Sequence, residues 1–402
     1  MKKVCVLFGA GADANYGICN GLNFALKVVG FKTDKMNEAI IKFYSEKKKN
    51  SKYPNWCNDI DSHDLFNDKE ESDEEKSLIE KSLRKKYLTE YLQSGNDSSK
   101  TAFDSEIKNI LENLDQTEKK ALLDNYISYM GVLDEKFSTL IFPKYLGPQK
   151  FWKVVKCYTR AYLTIVFNLL NEETEEETVE KYYEYLKKPK ETLERIKEKY
   201  KKLNQEKQLN KQANGSQNVT YYETLKKYLN NIQINVVTTN YTPICEITTN
   251  INENNIAYVH GKIGLFEAPY SLKVFDVEKE ELPNEIYFPY LFIQSGVKPV
   301  VEYNQIKEYY KMVKFFEEAE RLIIVGYKIN IDDHHINGLI RNLFQDKEIV
   351  YLDYDSFDKE YICKLLRLPE KNYKNLKYVS INESNSVKIF EEILTNDIIK
   401  IK

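Results

Sequence analysis

The chain has 402 residues, 42% hydrophobic and 13% aromatic, which supplies a sizeable core and excludes a disordered chain. Its 59 lysines and arginines nearly cancel 62 aspartates and glutamates, leaving a net charge of -3, so the global balance does not indicate nucleic acid as a partner. The six cysteines are scattered with no C-x-x-C pair, no apolar run is long enough to span a bilayer, and the Met1–Gly9 start is too short for a secretory leader. These features predict a cytoplasmic protein with reduced thiols, no structural zinc and no membrane association.

The first element, Val4-Cys5-Val6-Leu7-Phe8, is an unbroken apolar run of the kind buried on both faces of a parallel sheet. Gly9-Ala10-Gly11-Ala12-Asp13 follows, then an apolar-periodic segment over 22–29: strand, glycine-rich turn, helix, the start of a nucleotide-binding unit. A second helix is expected over 34–48. Segments 68–93, 104–130 and 149–171 have helical spacing of Leu, Ile and Tyr. Segment 174–211, rich in Glu, Lys, Tyr and Asn, reads as a long solvated helix or helical hairpin. Strand signals return at Ile234–Val237, Ala257–Val259, Leu322–Val325, Ile349–Leu352 and Tyr378–Ile381, separated in part by helical segments near 303–320, 333–344, 355–367 and 384–395. Strands alternating with helices imply an α/β fold, a doubly wound parallel sheet (Rossmann-like) over 1–63 and 231–402, split by a large, mostly helical insertion over 64–230.

Three segments carry candidate chemistry. Gly9 and Gly11 leave room for backbone N–H groups to close on a diphosphate beside a helix N-terminus. The alternative is a tight turn with no ligand, since Gly17 is too far on to complete the usual dinucleotide fingerprint. Thr238-Thr239-Asn240-Tyr241 follows an apolar strand, where open α/β sheets bind ligands. An Asn amide both donates and accepts there, unless Thr239 and Asn240 merely cap a helix beginning near Pro243. Tyr258-Val259-His260-Gly261 places one of only four histidines at a strand end, where it suits proton abstraction. A structural histidine is the alternative.

Taken in order, Gly9-Ala10-Gly11-Ala12, Thr239-Asn240-Tyr241, His260-Gly261, Ser295-Gly296-Val297-Lys298-Pro299 and Ile324-Val325-Gly326-Tyr327 resemble the sirtuin family. The closer likeness is to sirtuin-like proteins of bacterial antiphage defence, which often carry Gly-Tyr followed by Asp, His and Ile, as in Gly326-Tyr327 and then Asp333-His334-His335-Ile336. The resemblance covers roughly 1–30 and 233–360. It implies that Gly9, Ala10, Gly11 and Ala12 hold the diphosphate of NAD⁺, with Asp13, Thr239 and Tyr241 at the same site. Asn240 would orient the nicotinamide ribose and the attacking water, and His260 would be the general base. Gly326 and Tyr327 would flank the adenosine, and Asp353 would bond its ribose hydroxyls. NAD⁺ is then a substrate, and the implied activity is an NAD⁺ glycohydrolase that depletes NAD⁺ in antiphage defence.

Two departures sharpen that expectation. Deacetylating sirtuins hold a four-cysteine zinc ribbon after the catalytic histidine, whereas residues 261–297 contain no cysteine. No zinc is expected there, and water becomes the acceptor in place of an acyl-lysine. Asp13 stands where the family commonly has Ser, which is unfavourable beside a diphosphate unless the carboxylate faces away, as a helix cap would. The run Asp332-Asp333-His334-His335 invites a metal, but consecutive residues at a helix start point in different directions, so at most two could share an ion. A capping Asp332 or Asp333 and a pocket-lining histidine are expected instead, with no metal ligand. Because NAD⁺ destruction must be held off until triggered, and the chain after 360 is short for a sensor, control is expected from homo-oligomerisation or a separate phage-sensing protein. A HerA-type hexameric ATPase is one such partner, with 64–230 as the contact surface. The competing readings are a sirtuin-type deacylase or ADP-ribosyltransferase, and a non-catalytic sensor of NAD⁺ or ADP-ribose.

Overall fold

Strands form both at unbroken apolar runs and at segments that mix apolar with polar residues. In chain order they are β1 (Lys3–Phe8), β2 (Gln233–Thr238), β3 (Ile256–Tyr258), β4 (Gly261–Ala268), β5 (Lys273–Asp276), β6 (Phe288–Leu291), β7 (Arg321–Val325), β8 (Glu348–Asp353) and β9 (Leu376–Ser380). The computed structural model describes residues 3–16, 34–50, 148–170, 178–214, 219–268, 273–292, 303–329, 333–354, 359–382 and 384–395. The helices expected over 22–29, 68–93 and 104–130, the Ser295–Pro299 motif and Asp332 lie outside the described residues. The chain divides into two compact units, one of Met1–Cys19, Leu193–Ile263 and Val300–Lys402, the other of Asn20–Thr192 and Gly264–Pro299.

The first unit is built on a six-stranded sheet in the order β3-β2-β1-β7-β8-β9. Every pairing in it is parallel: Phe8 faces Thr238 and Val325, Thr238 faces Tyr258, Val325 faces Leu352, and Asp353 faces Ser380. Winding outwards first to one side of β1 and then to the other is the doubly wound order of dinucleotide-binding folds, and it places a topological switch point between β1 and β7. Cys5 to Phe8 and Leu322 to Val325 are fully buried, as a sheet covered on both faces demands. On one face Leu7, Ile324 and Ile349 pack against Phe315, Phe316 and Ile340 of the helices Tyr303–Glu318 and His334–Leu343. Each such side chain contributes about 1.5–3 kcal/mol by leaving water.

At the amino end of the sheet, the buried Arg321 opens β7 by pairing with Glu348 of β8 and donating Nη1–H to the carbonyl of Ile393 at 2.6 Å. Burial pushes the Glu348 carboxyl up, but the hydrogen bond from Lys377 and the charge of Arg321 outweigh it and hold the group below its ordinary value. This end of the sheet is therefore ionically locked, and the carboxyl end is left for function.

The second unit carries the helices Asp34–Asn50, Pro148–Leu170 and Val179–Lys187 and a three-stranded sheet in the order β5-β4-β6, whose β4–β5 pair is antiparallel. Its core is aromatic. Tyr44 packs edge-on to Trp152, Tyr162 to Phe266 and Tyr158 to Phe288, and the Tyr44 hydroxyl is held by Thr159 at 2.9 Å and by the carbonyl of Tyr287 at 3.1 Å. The expected solvated segment 174–211 is two helices, Val179–Lys187 and Pro189–Asn214, broken at Lys188 with proline at the first helical position. It is not wholly solvated. Tyr182, Tyr185 and Leu186 are buried in the first helix and Leu193, Ile196 and Tyr200 in the second, so the tyrosines act as apolar positions. Among the described residues no helix is long and apolar enough to cross a membrane.

Candidate active site

The carboxyl edge of β1 and β7 is drawn together by glycine. Gly9 N–H donates to the carbonyl of Val325 at 3.0 Å and Gly11 N–H to that of Gly326 at 2.9 Å. A Cβ on Gly9 would lie 2.3 Å from the Tyr327 Cα, and one on Gly326, whose φ is +63°, would lie 2.4 Å from the Ala12 nitrogen. The close approach of two turns thus accounts for these glycines. In this arrangement the N–H groups of Gly9 and Gly11 are engaged by carbonyls, and those of Ala12 and Asp13 donate to the carbonyls of Gly9 and Ala10.

The Asp13 carboxylate faces away from the turn, as expected, but into a buried hydrogen-bond network and not onto a helix N-terminus. Asp13 is only 1% exposed, and its carboxylate accepts hydrogen bonds from the hydroxyls of Tyr222 and Thr242. Burial pushes its carboxyl up to about 6, against the opposing hydrogen bonds of Thr242, Tyr222 and Asn240. Tyr222 lies in the helix Tyr221–Tyr228, which Thr220 and Glu223 start with a reciprocal capping box. Its ring stands edge-on to Phe8 at 5.0 Å and stacks on Tyr16 at 5.8 Å. Its hydroxyl also accepts Nδ2–H of Asn240 at 3.3 Å.

Asn240 is two residues past the end of β2 and 6% exposed. Its own N–H donates to the Thr238 hydroxyl at 3.0 Å. The helix Ile244–Thr249 has Pro243 as its cap residue and no side-chain cap, so the capping alternative for Thr239 and Asn240 falls. Thr239 instead ties β2 to β1 through its N–H and the Phe8 carbonyl at 3.0 Å. The Tyr241 carbonyl accepts Ile263 N–H at 2.8 Å, and burial, with the Asp333 charge adding to it, pushes the Tyr241 hydroxyl up.

His260 is likewise two residues past the end of its strand, β3, and 6% exposed. The pairing of Thr238 with Tyr258, extended by Val259 N–H to the Thr238 carbonyl at 3.1 Å, means that Asn240 and His260 leave adjacent strands at the same level. His260 Nε2 lies 3.3 Å from His335 Nε2 and 3.6 Å from Asp333 Oδ1. The His335 ring is backed by Tyr309 at 5.3 Å. Asp333 holds the cap position of the helix His334–Leu343, but its side chain makes no cap bond; the other expected capping residue, Asp332, lies outside the described residues. Its Oδ2 accepts from the Tyr327 hydroxyl at 3.1 Å, a proton also within reach of Asn337 Oδ1 at 3.3 Å. Tyr327 is fixed in turn by its carbonyl, which accepts from the Tyr351 hydroxyl at 3.0 Å, and that hydroxyl is 3.1 Å from Asp353 Oδ2. Burial, and after it the Asp333 charge, pushes the Tyr327 hydroxyl well up, so it remains a donor.

The expected site residues therefore fall at one sheet edge in two groups. Asp13 and Asn240 belong to the first; Tyr327 joins the second directly around His260, and Asp353 through Tyr351. Of the run from Asp332 to His335, Asp333 and His335 share one cluster while His334 is exposed, as expected of consecutive residues. The fold adds His260, which the sequence run alone did not supply. Tyr222 and Thr242 had no signal: Tyr222 is one of 31 tyrosines and sits in a Lys/Tyr-rich stretch. A scan against protein-family models found no match to this chain, and a search of curated proteins found none either.

Proposed function

We propose that this chain is a sirtuin-like NAD⁺ glycohydrolase. NAD⁺ and water give ADP-ribose, nicotinamide and a proton: the C1′–N bond breaks with its electron pair leaving on nicotinamide, and water adds to the oxocarbenium-like carbon as His260 takes its proton. Asn240 orients the ribose and that water. The observation that carries this reading is the placement of Asn240 and His260, each two residues past the paired Thr238 and Tyr258, at the carboxyl edge of a sheet wound in dinucleotide-binding order. The buried networks around both side chains support it, since a catalytic pair needs rotamers fixed by neighbours. As the sirtuin resemblance implies, the diphosphate and adenosine lie along the Gly9–Asp13 turn and the Gly326–Tyr327 turn at the switch point, and Asp353 bonds the adenine ribose. Contact is with the turns rather than with the N–H groups of Gly9, Gly11, Ala12 and Asp13, which carbonyls engage.

The enzyme acts in the cytoplasm as an effector of antiphage defence, held inactive by homo-oligomerisation or by a partner such as a HerA-type ATPase. Incubating the pure chain, alone and with such a partner, with NAD⁺ and following nicotinamide and ADP-ribose tests the reaction. Binding of NAD⁺ with no cleavage under either condition identifies a sensor, and NAD⁺-dependent deacylation of an acyl-lysine peptide identifies a deacylase. Either result overturns the hydrolase.

A further inference from the structure

We propose that His260, Asp333 and His335 form a binding site for one divalent transition-metal ion of the Zn²⁺ class, and that occupancy withdraws His260 from proton transfer. The site stands on its own geometry; only the inhibitory consequence rests on the hydrolase reading. Each of the three residues offers one ligand atom, and these atoms all lie within 4.8 Å of one another. At zinc–nitrogen distances of about 2.0–2.1 Å, two ligands of a tetrahedral ion stand about 3.3–3.4 Å apart. The two Nε2 atoms are 3.3 Å apart, and His260 Nε2 is 3.6 Å from Asp333 Oδ1. Two imidazoles and one carboxylate suit zinc, cobalt and iron(II) and leave a position open.

The surroundings are those of a supported ligand set. The Tyr327 hydroxyl donates to Asp333 Oδ2, which leaves Oδ1 aimed at the histidines, and the Tyr327 backbone is anchored by Tyr351. His260 and Asp333 are buried and His335 half-buried, which leaves an approach for the ion from the His335 side. None of this involves the cysteine ribbon of deacetylating sirtuins. A metal on His260 Nε2 occupies the lone pair a general base would use, so chelation at this site is a means of holding NAD⁺ cleavage off.

Untagged, chelator-treated full-length protein titrated with Co²⁺ and Zn²⁺ tests the site. The expected result is one ion per chain, with the intense visible bands of tetrahedral Co²⁺. His335→Gln and Asp333→Asn, each checked for native circular dichroism, should lose those bands and bind Zn²⁺ at least about tenfold more weakly. No ion taken up by the folded parent, or equal uptake by either folded variant, overturns the site. Added Zn²⁺ should suppress nicotinamide release and a chelator restore it; release untouched by bound Zn²⁺ overturns the inhibitory role alone. Metal uptake by a protein that never cleaves NAD⁺ keeps the site and removes the hydrolase, so the two failures are told apart.

Discussion

Two buried polar clusters stand at the carboxyl edge of one sheet and are built on opposite plans. Around Asp13, the hydroxyls of Tyr222 and Thr242 each present a hydrogen to a single carboxylate, and the Asn240 amide donates into the same network. Such a cluster is closed: its donors and acceptor match, and its product is a fixed position for Asn240. Around His260 the balance is reversed. Two imidazole nitrogens and a carboxylate oxygen face one another, so the atoms that meet there can share a proton or ligate one metal ion, according to the tautomer and charge the imidazoles adopt. The contrast teaches that burial alone does not mark chemistry; the kind of atoms a cluster turns towards one another does.

The largest expected effect would break that contrast at its functional end. His260→Ala and Asn240→Ala should each lower nicotinamide release by about 10²–10⁴-fold, a rise of about 3–5 kcal/mol in the barrier. Steady-state rates on variants shown to be folded measure this. Release at the parent rate from either variant would remove that residue from the reaction.

A smaller effect isolates the closed cluster through pH. The Asp13 carboxyl is pushed up to about 6 from an ordinary value of 3.8. Between those values the native state keeps a proton that the unfolded chain has released, so stability falls as pH rises. The loss is complete above about pH 6 and amounts to at most about 3 kcal/mol. Asp13→Asn has no proton to lose. Subtracting its denaturation free energy from the parent's at each pH should give a curve that drops between pH 4 and 6 and is flat above. A flat difference throughout would mean that Asp13 is solvated in a way its burial denies.

How much of this was legible follows from the kind of signal each part leaves. The strands β1, β2, β7 and β8 are runs such as Val4–Phe8 and Leu322–Val325, buried on both faces, and such runs show as unbroken apolar stretches. The strands β4 and β5 left no such trace, and β6 lies in an apolar run, Ile286–Phe292, whose strand character is hidden by the interrupting Pro289. Gly261–Ala268 mixes Gly, Lys and Glu with its apolar residues, because antiparallel strands of a small sheet need bury only alternate positions. His260 and Asn240 were found because each is a distinctive residue at a strand end. Asp13 was noticed, but its role was not: a carboxylate whose partners are 209 and 229 residues away in sequence has no local pattern. The convergence of His260 on Asp333 and His335 likewise depends on the crossover connection that brings β3 and the helix after β7 to one edge. Spacing along the chain cannot express it.

The smallest effect separates the two clusters with one kind of substitution made twice. Tyr222→Phe removes a hydroxyl that donates to Asp13 and accepts from Asn240. Leaving both partners short should lower stability by about 1–2 kcal/mol, or a few degrees of Tm for a chain of this size. Zn²⁺ affinity should be unchanged, because the hydroxyl removed serves Asp13 and Asn240. Tyr327→Phe removes the donor to Asp333 Oδ2. Its thermal effect should be similar, since the same hydroxyl is lost from a comparably buried place, but it frees the carboxylate to turn, and Zn²⁺ affinity should fall by about 10–100-fold. Equal Zn²⁺ affinity in both variants would mean that the Asp333 orientation is not set by Tyr327, and the distinction between a closed cluster and an open one would then rest on His260 alone.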